Sequence, residues 1–154
     1  MTIIAYRDGK MAGDALITCG DVRVGHMQKI ARDGAGNLCG AAGSAMFTAA
    51  FIGWFVNGRL GARPRMAFGS DGLDRAMIVN IATPDRITIV EDGDEFSFRE
   101  TFHAIGSGAP FALGAMCHGA TARVAVEIAC FFSSTCGGEI SVLHAEANMR
   151  DPNS

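Results

Sequence analysis

Apolar and polar positions along the chain change period several times, and each change marks an element. Residues 2–7 form a short apolar run closed by Asp8-Gly9, which predicts a buried strand, a turn and a partner strand over 10–18. Residues 27–32 and 37–41 flank a second turn at Asp33-Gly34. A meander follows over 76–81, 86–91 and 95–99, joined through Thr83-Pro84-Asp85 and Glu91-Asp92-Gly93-Asp94, with clean alternation in Arg86-Ile87-Thr88-Ile89. Helical spacing replaces alternation at 44–57, where Phe47, Phe51, Trp54 and Phe55 recur at three- and four-residue intervals behind a Ser44 cap. Two late helices are predicted, 109–118 with Pro110 in its first turn and 121–132 capped by Thr121; a strand over 140–144 closes the pattern. Residues 148–154 are polar, contain Pro152 and read as a frayed tail.

Strand groups separated by helix groups define an α+β chain, and two sheets between helical layers fit the order. No repeat or linker divides the sequence, so one domain over 1–147 is expected. Asp-Gly pairs at Asp8, Asp33, Asp71 and Asp92 supply the punctuation, three of them as hairpin turns.

Composition narrows the class. With 49% hydrophobic residues in 154, the chain can bury a core without disulfides or metals. A net charge of −3 and 19% charged residues give nucleic acid or an anionic membrane nothing to attract. Cys19, Cys39, Cys117, Cys130 and Cys136 are odd in number and contain no CxxC pair, which points to a reducing cytoplasm. The N-terminus meets a charge and a turn within eight residues, too soon for a signal-peptide core, so the folded chain is expected to begin at residue 2. The apolar stretch at 45–56 is interrupted by Thr48 and Gly53 and is too short to span a bilayer. Twenty glycines, eight methionines and a positive mean hydropathy leave more apolar surface than a monomer of this size readily hides, and the apolar helix surface around Phe47, Phe51, Trp54 and Phe55 is expected to serve as the contact face of an oligomer.

Most familiar chemistries find no support. His26, His103, His118 and His144 lack HxH or HExxH spacing and no cysteine pair stands at zinc-ligand distance, so no metal is expected. Ala104 stands where a nucleophile elbow requires its first glycine, and no glycine run ends in the Lys-Ser or Lys-Thr of a phosphate loop. Thr2 differs from these by its position. If Met1 is removed, a hydroxyl and a free α-amine share one residue, and an amine of ordinary pKa about 7.7–8.0 can serve as the hydroxyl's own base. The plainer alternative is that Thr2 simply opens a strand, where β-branched residues are favoured.

Thr2-Ile3-Ile4-Ala5 followed by Met11-Ala12-Gly13-Asp14 resembles the opening of proteasome β subunits and of the peptidase subunit of the bacterial ATP-dependent ring protease. Gln28-Lys29-Ile30 is similar to their catalytic-lysine strand, and Gly40-Ala41-Ala42-Gly43-Ser44-Ala45 to their oxyanion turn before the first long helix. Ala104-Ile105-Gly106-Ser107-Gly108 resembles their Gly-Ser-Gly turn, and Cys136-Gly137-Gly138 before Ile140-Ser141-Val142 the glycine pair ahead of their last strand. The blocks run in family order from residue 2 to about 144, and the length is closest to compact bacterial proteasome-like proteins.

The resemblance implies a four-layer αββα sandwich of the N-terminal nucleophile hydrolase type, acting without a cofactor. It implies Thr2 as nucleophile, Lys29 as the cation assisting it, Asp14 as the residue orienting Lys29, Gly43 as oxyanion donor and Ser107 as a hydrogen-bonding partner near the threonine amine. Ser133 stands where the family commonly has an aspartate, offering hydrogen bonds but no charge. Ala41 and Ala45 match positions lining the primary pocket, which implies a wide, uncharged pocket and cleavage after apolar residues. The implied activity is a threonine peptidase acting on peptides or unfolded protein inside a homo-oligomeric ring, with an ATPase as a further partner. Two alternatives stay open: a catalytically silent ring or scaffold, favoured by Ser133 or by a retained Met1, and a small-molecule amidohydrolase using the same residues without a chamber.

Overall fold

The N-terminal apolar run becomes an inner strand buried on both faces. The computed structural model describes residues 2–65, 74–91 and 93–146. Its elements are β1 (Ile3–Arg7), β2 (Lys10–Gly13), β3 (Leu16–Cys19), β4 (Val22–His26), β5 (Ile30–Arg32), β6 (Leu38–Ala42), α1 (Ala45–Val56), β7 (Arg75–Val79), β8 (Arg86–Glu91), β9 (Asp94–Arg99), β10 (Phe102–Gly106), α2 (Ala109–Cys117), α3 (Ala122–Phe132) and β11 (Ser141–His144). One sheet has the order β10-β1-β2-β11, a second β5-β6-β7-β8-β9, and β3 pairs with β4 as a separate hairpin. All of these pairings are antiparallel. The chain is thus α+β, as its pattern predicts.

Alternation along β1 explains why its sequence shows no polar face. Ile3 and Ala5 turn to one side and join Ala112, Met116, Ala125, Val126 and Ala129 beneath α2 and α3. Ile4 and Tyr6 turn to the other and pack with Met11, Ile30, Leu38, Met77, Val79, Ile87 and Ile89, the core between the two sheets. On the far side of the second sheet, Cys39, Ala41, Ala76 and Val90 meet Phe47, Phe51 and Phe55 of α1. Gly40 allows close approach of the sheets, since a β-carbon there would lie 2.6 Å from Ile4 Cγ2 and 3.1 Å from Met11 Sδ.

Three expectations need correction. Residues 10–18 are two strands, because at Asp14 the chain leaves β1: the amides of Ala15 and Leu16 both turn to the Gly137 carbonyl, each at 3.0 Å. The β3–β4 hairpin turns on Gly20-Asp21, with Gly20 at φ +59, between the predicted strands over 10–18 and 27–32, where the sequence pattern assigned no element. Strand β10 is likewise a strand where the sequence marked only the glycine turn after it; it pairs with the whole of β1.

The aromatic face of α1 also differs from its expected role as an oligomer surface. Phe47, Phe51 and Phe55 share a face at four-residue spacing and are buried against the chain's own second sheet. Exposed apolar side chains instead include Met46, Leu60, Phe131 and Phe132. Met1, the Asp71-Gly72 pair, Asp92 and the tail at 148–154 lie outside the described residues. Among the described residues no helix is long and apolar enough to cross a membrane.

Tyr6 ties the first sheet to the loop before β8. Its buried hydroxyl donates to the Pro84 carbonyl at 2.6 Å and accepts the Gly9 amide at 3.1 Å. Burial pushes its phenol above the ordinary range, opposed by the Gly9 hydrogen bond. Tyr6→Phe removes both bonds without changing shape, and urea unfolding is expected to show a loss of about 1–3 kcal/mol. An unchanged midpoint would mean that water replaces the hydroxyl freely.

Candidate active site

Thr2, Asp14 and Lys29 are all buried polar residues, with 3%, 2% and 3% exposure. Their placement follows from strand ends. Thr2 immediately precedes β1, Asp14 immediately follows β2, and Lys29 immediately precedes β5. Lys29 Nζ donates to Asp14 Oδ1 at 3.0 Å and to the Leu16 carbonyl at 2.7 Å. Asp14 Oδ1 also accepts the Ile3 amide at 3.1 Å, and Oδ2 accepts the Gly137 amide at 3.0 Å. A charge removed from water needs a partner and further hydrogen bonds. The carboxylate therefore fixes Lys29 and at the same time anchors the first residue of β1, next to Thr2.

Thr2 is held through its backbone as well. Its carbonyl accepts the Gly108 amide at 3.3 Å and the Ser107 hydroxyl at 3.4 Å. Gly106 has φ +101, and a β-carbon there would run into the Thr2 carbonyl oxygen, so glycine is required for the two segments to meet. Ser107 Oγ lies 3.1 Å from Thr135 Oγ1, which lies 3.0 Å from Ser133 Oγ. The sequence-predicted Ser107 and Ser133 are thus joined through Thr135, a residue that sequence reasoning did not single out.

A small cavity of about 90 Å³ brings Thr2 and Lys29 together with Gly43, Ser44, Ala45 and Thr48, and is closed by Leu16 to Thr18 and Met27. Gly43 has φ +117 and forms the turn between β6 and the Ser44 cap of α1. Ala45 lines the cavity; Ala41 does not, being fully buried among Cys39, Phe47 and Phe51 beneath α1. Ala41 alternates with Gly40 and Ala42 across β6, so its side chain belongs to the helix side of the sheet. A larger cleft of about 370 Å³ lies at the other end of β1, between Asp8, Gly9, Pro84, Asp85 and Thr101, and contains none of the predicted site residues.

Cysteines near this region are poor nucleophiles. The Cys130 thiol is pushed up to about 12, first by burial and then by the Asp14 charge, and burial raises Cys39 to about 12 as well. Neither supplies thiolate near neutrality. Besides Thr135, sequence reasoning missed the buried Thr48 and Asp74. Asp74 reaches the site from 30 positions beyond Ser44, with no local pattern to mark it.

The arrangement of sheets and helices fits a proteasome-like fold. The chain is similar to Thiobacillus denitrificans BPH, with a TM-score of 0.65 at 23% identity over 94% of this chain and 98% of that one. Against Thiobacillus denitrificans BPH in complex with Epoxomicin, the TM-score is again 0.65, at 22% identity and the same coverage. No protein-family model and no curated protein sequence matches the chain.

Proposed function

We propose that this protein is a threonine peptidase of the N-terminal nucleophile class, built as a four-layer αββα sandwich and working in a cytoplasmic homo-oligomeric ring. The observation that carries the reading is the meeting of Thr2, Lys29 and the Gly43 turn around one cavity, with buried Asp14 bonded to Lys29. With Met1 removed, the Thr2 amine takes the proton of Oγ1, and Oγ1 attacks the carbonyl carbon of a peptide. Lys29, held by Asp14, places a positive charge beside that proton transfer. The Gly43 N–H meets the oxyanion. The amine then protonates the leaving amide nitrogen, the C–N bond breaks, and water hydrolyses the threonyl ester. No cofactor enters any of these steps.

Ser107, bonded to the Thr2 carbonyl, holds the nucleophile's backbone, and Ser133 supports Ser107 through Thr135. Small, uncharged Ala45 on the cavity wall favours apolar residues before the scissile bond, in peptides or unfolded protein chains. A silent scaffold is the second reading, and Ser133 favours it: the neutral hydroxyl there supplies no charge to a protonated amine.

A peptide epoxyketone separates the two. Oγ1 adds to the ketone and the amine opens the epoxide, so both groups of one residue are bridged and the whole reagent mass is retained. Protein whose N-terminus is confirmed by intact mass as Met1-free is expected to carry one such adduct, mapped to Thr2. Peptide hydrolysis with the adduct elsewhere would reject the nucleophile assignment. A Met1-free protein that neither hydrolyses peptides nor reacts would support the scaffold.

A further inference from the structure

The chain passes from β6 into α1 through one reversal at Gly43, and a buried carboxylate from the next strand holds that reversal in place. Strand register explains how it gets there. Ala42 pairs with Arg75, so continuation of the antiparallel ladder sets Asp74 opposite Gly43. At Gly43 a β-carbon would collide with Asp74 Oδ1 and lie 2.7 Å from Asp74 Cα, so the two backbones close only because residue 43 is glycine. Asp74 Oδ1 accepts the Ser44 amide at 2.7 Å, while the Ser44 hydroxyl accepts the Phe47 amide at 3.1 Å. Ser44 is therefore gripped from the neighbouring strand and from its own helix.

The grip has an unusual cost. Asp74 is 1% exposed, and its Oδ2 is the one buried side-chain oxygen or nitrogen among the described residues without a hydrogen-bond partner. Burying an unmatched carboxylate oxygen is unfavourable, and the N-terminus of α1 offsets only part of it. A costly group kept behind a cavity-lining turn is explained by the turn it holds rather than by stability. That turn consists of Gly43 and Ser44, which line the cavity with Thr2 and Lys29.

We infer that Asp74 is a positioning residue for hydrolysis, clamping the Gly43–Ser44 turn so that the Gly43 N–H is fixed before the oxyanion forms. The inference rests on the peptidase reading above. Asp74 engages the turn through the Ser44 amide and so does not compete for the Gly43 donor. Glycine has the freest backbone of any residue, and a donor that must reorient as charge develops loses much of its effect.

The test compares Asp74→Ala and Asp74→Asn with the wild type on an apolar fluorogenic peptide, alongside hydrogen exchange at the Ser44 amide. Asparagine retains a carbonyl oxygen for that amide; alanine does not. Asp74→Ala is expected to lower kcat about tenfold to a hundredfold with KM within about twofold, and to lose Ser44 protection. Asp74→Asn is expected to keep protection and stay within about threefold of wild-type kcat. Should Asp74→Ala fail to fold, Asp74→Asn decides: lost turnover with Ser44 still protected overturns the inference. A folded Asp74→Ala with unchanged kcat overturns it too. If instead the Met1-free wild type neither hydrolyses peptides nor forms the Thr2 adduct, the peptidase reading itself fails, and Asp74's assigned role with it.

Discussion

Thr2→Ala is expected to reduce peptide hydrolysis at least about a thousandfold while leaving the fold intact. The hydroxyl oxygen is the atom of the site that the proposed reaction bonds to the substrate and then releases, and Cys130 and Cys39 do not stand in for it, because burial holds them as neutral thiols. The contacts that hold residue 2 are made by its carbonyl, to the Gly108 amide and the Ser107 hydroxyl, and alanine keeps both. The thermal midpoint is therefore expected to move by only a few degrees, roughly the effect of about 1 kcal/mol in a domain of this size. The measurement is turnover of an apolar peptide by wild-type and variant protein, each with its N-terminus established by intact mass. A variant that keeps its rate would move the nucleophile elsewhere; one that unfolds would show that the hydroxyl supports the strand.

Asp14→Ala is expected to be the most destabilising change in the site, by about 3–5 kcal/mol. It takes away the carboxylate that accepts Lys29 Nζ in a place where the lysine side chain is 2% exposed, and it strips the Ile3 and Gly137 amides of their acceptor. Lys29→Met should cost less, since the carboxylate would keep those two backbone donors. Urea unfolding of the two single variants and the double variant measures this ordering and the coupling between the residues, which should be large because they share one hydrogen-bonded cluster. Equal losses for the two single variants would mean that the ion pair, rather than the backbone anchorage at Ile3 and Gly137, carries the stability. Because Ile3 adjoins Thr2, Asp14→Ala is also expected to impair turnover in any fraction that remains folded.

Local order was legible wherever neighbours in sequence decide the outcome. Ser44 and Thr121 cap α1 and α3 as read, because a cap is a bond to the amide three residues on. The meander could be read from alternation, and Thr2, Asp14, Lys29 and Gly43 from short blocks in a familiar order. Their meeting could not be read from periodicity, because it depends on where strand ends fall when two sheets stack. The break at Asp14 needed Gly137 to draw the backbone aside, and Gly137 is 123 positions away. Phe47, Phe51 and Phe55 announced an apolar face in sequence, but only packing decided that this face is covered by the chain's own second sheet. Ala41 and Ala45 are four positions apart, yet strand pleat and helix entry send them to different sides of the wall. Asp74 had no local signature at all: its role arises from the β6–β7 register and from the φ of Gly43, and an isolated carboxylate gains meaning only when tertiary structure buries it beside a turn.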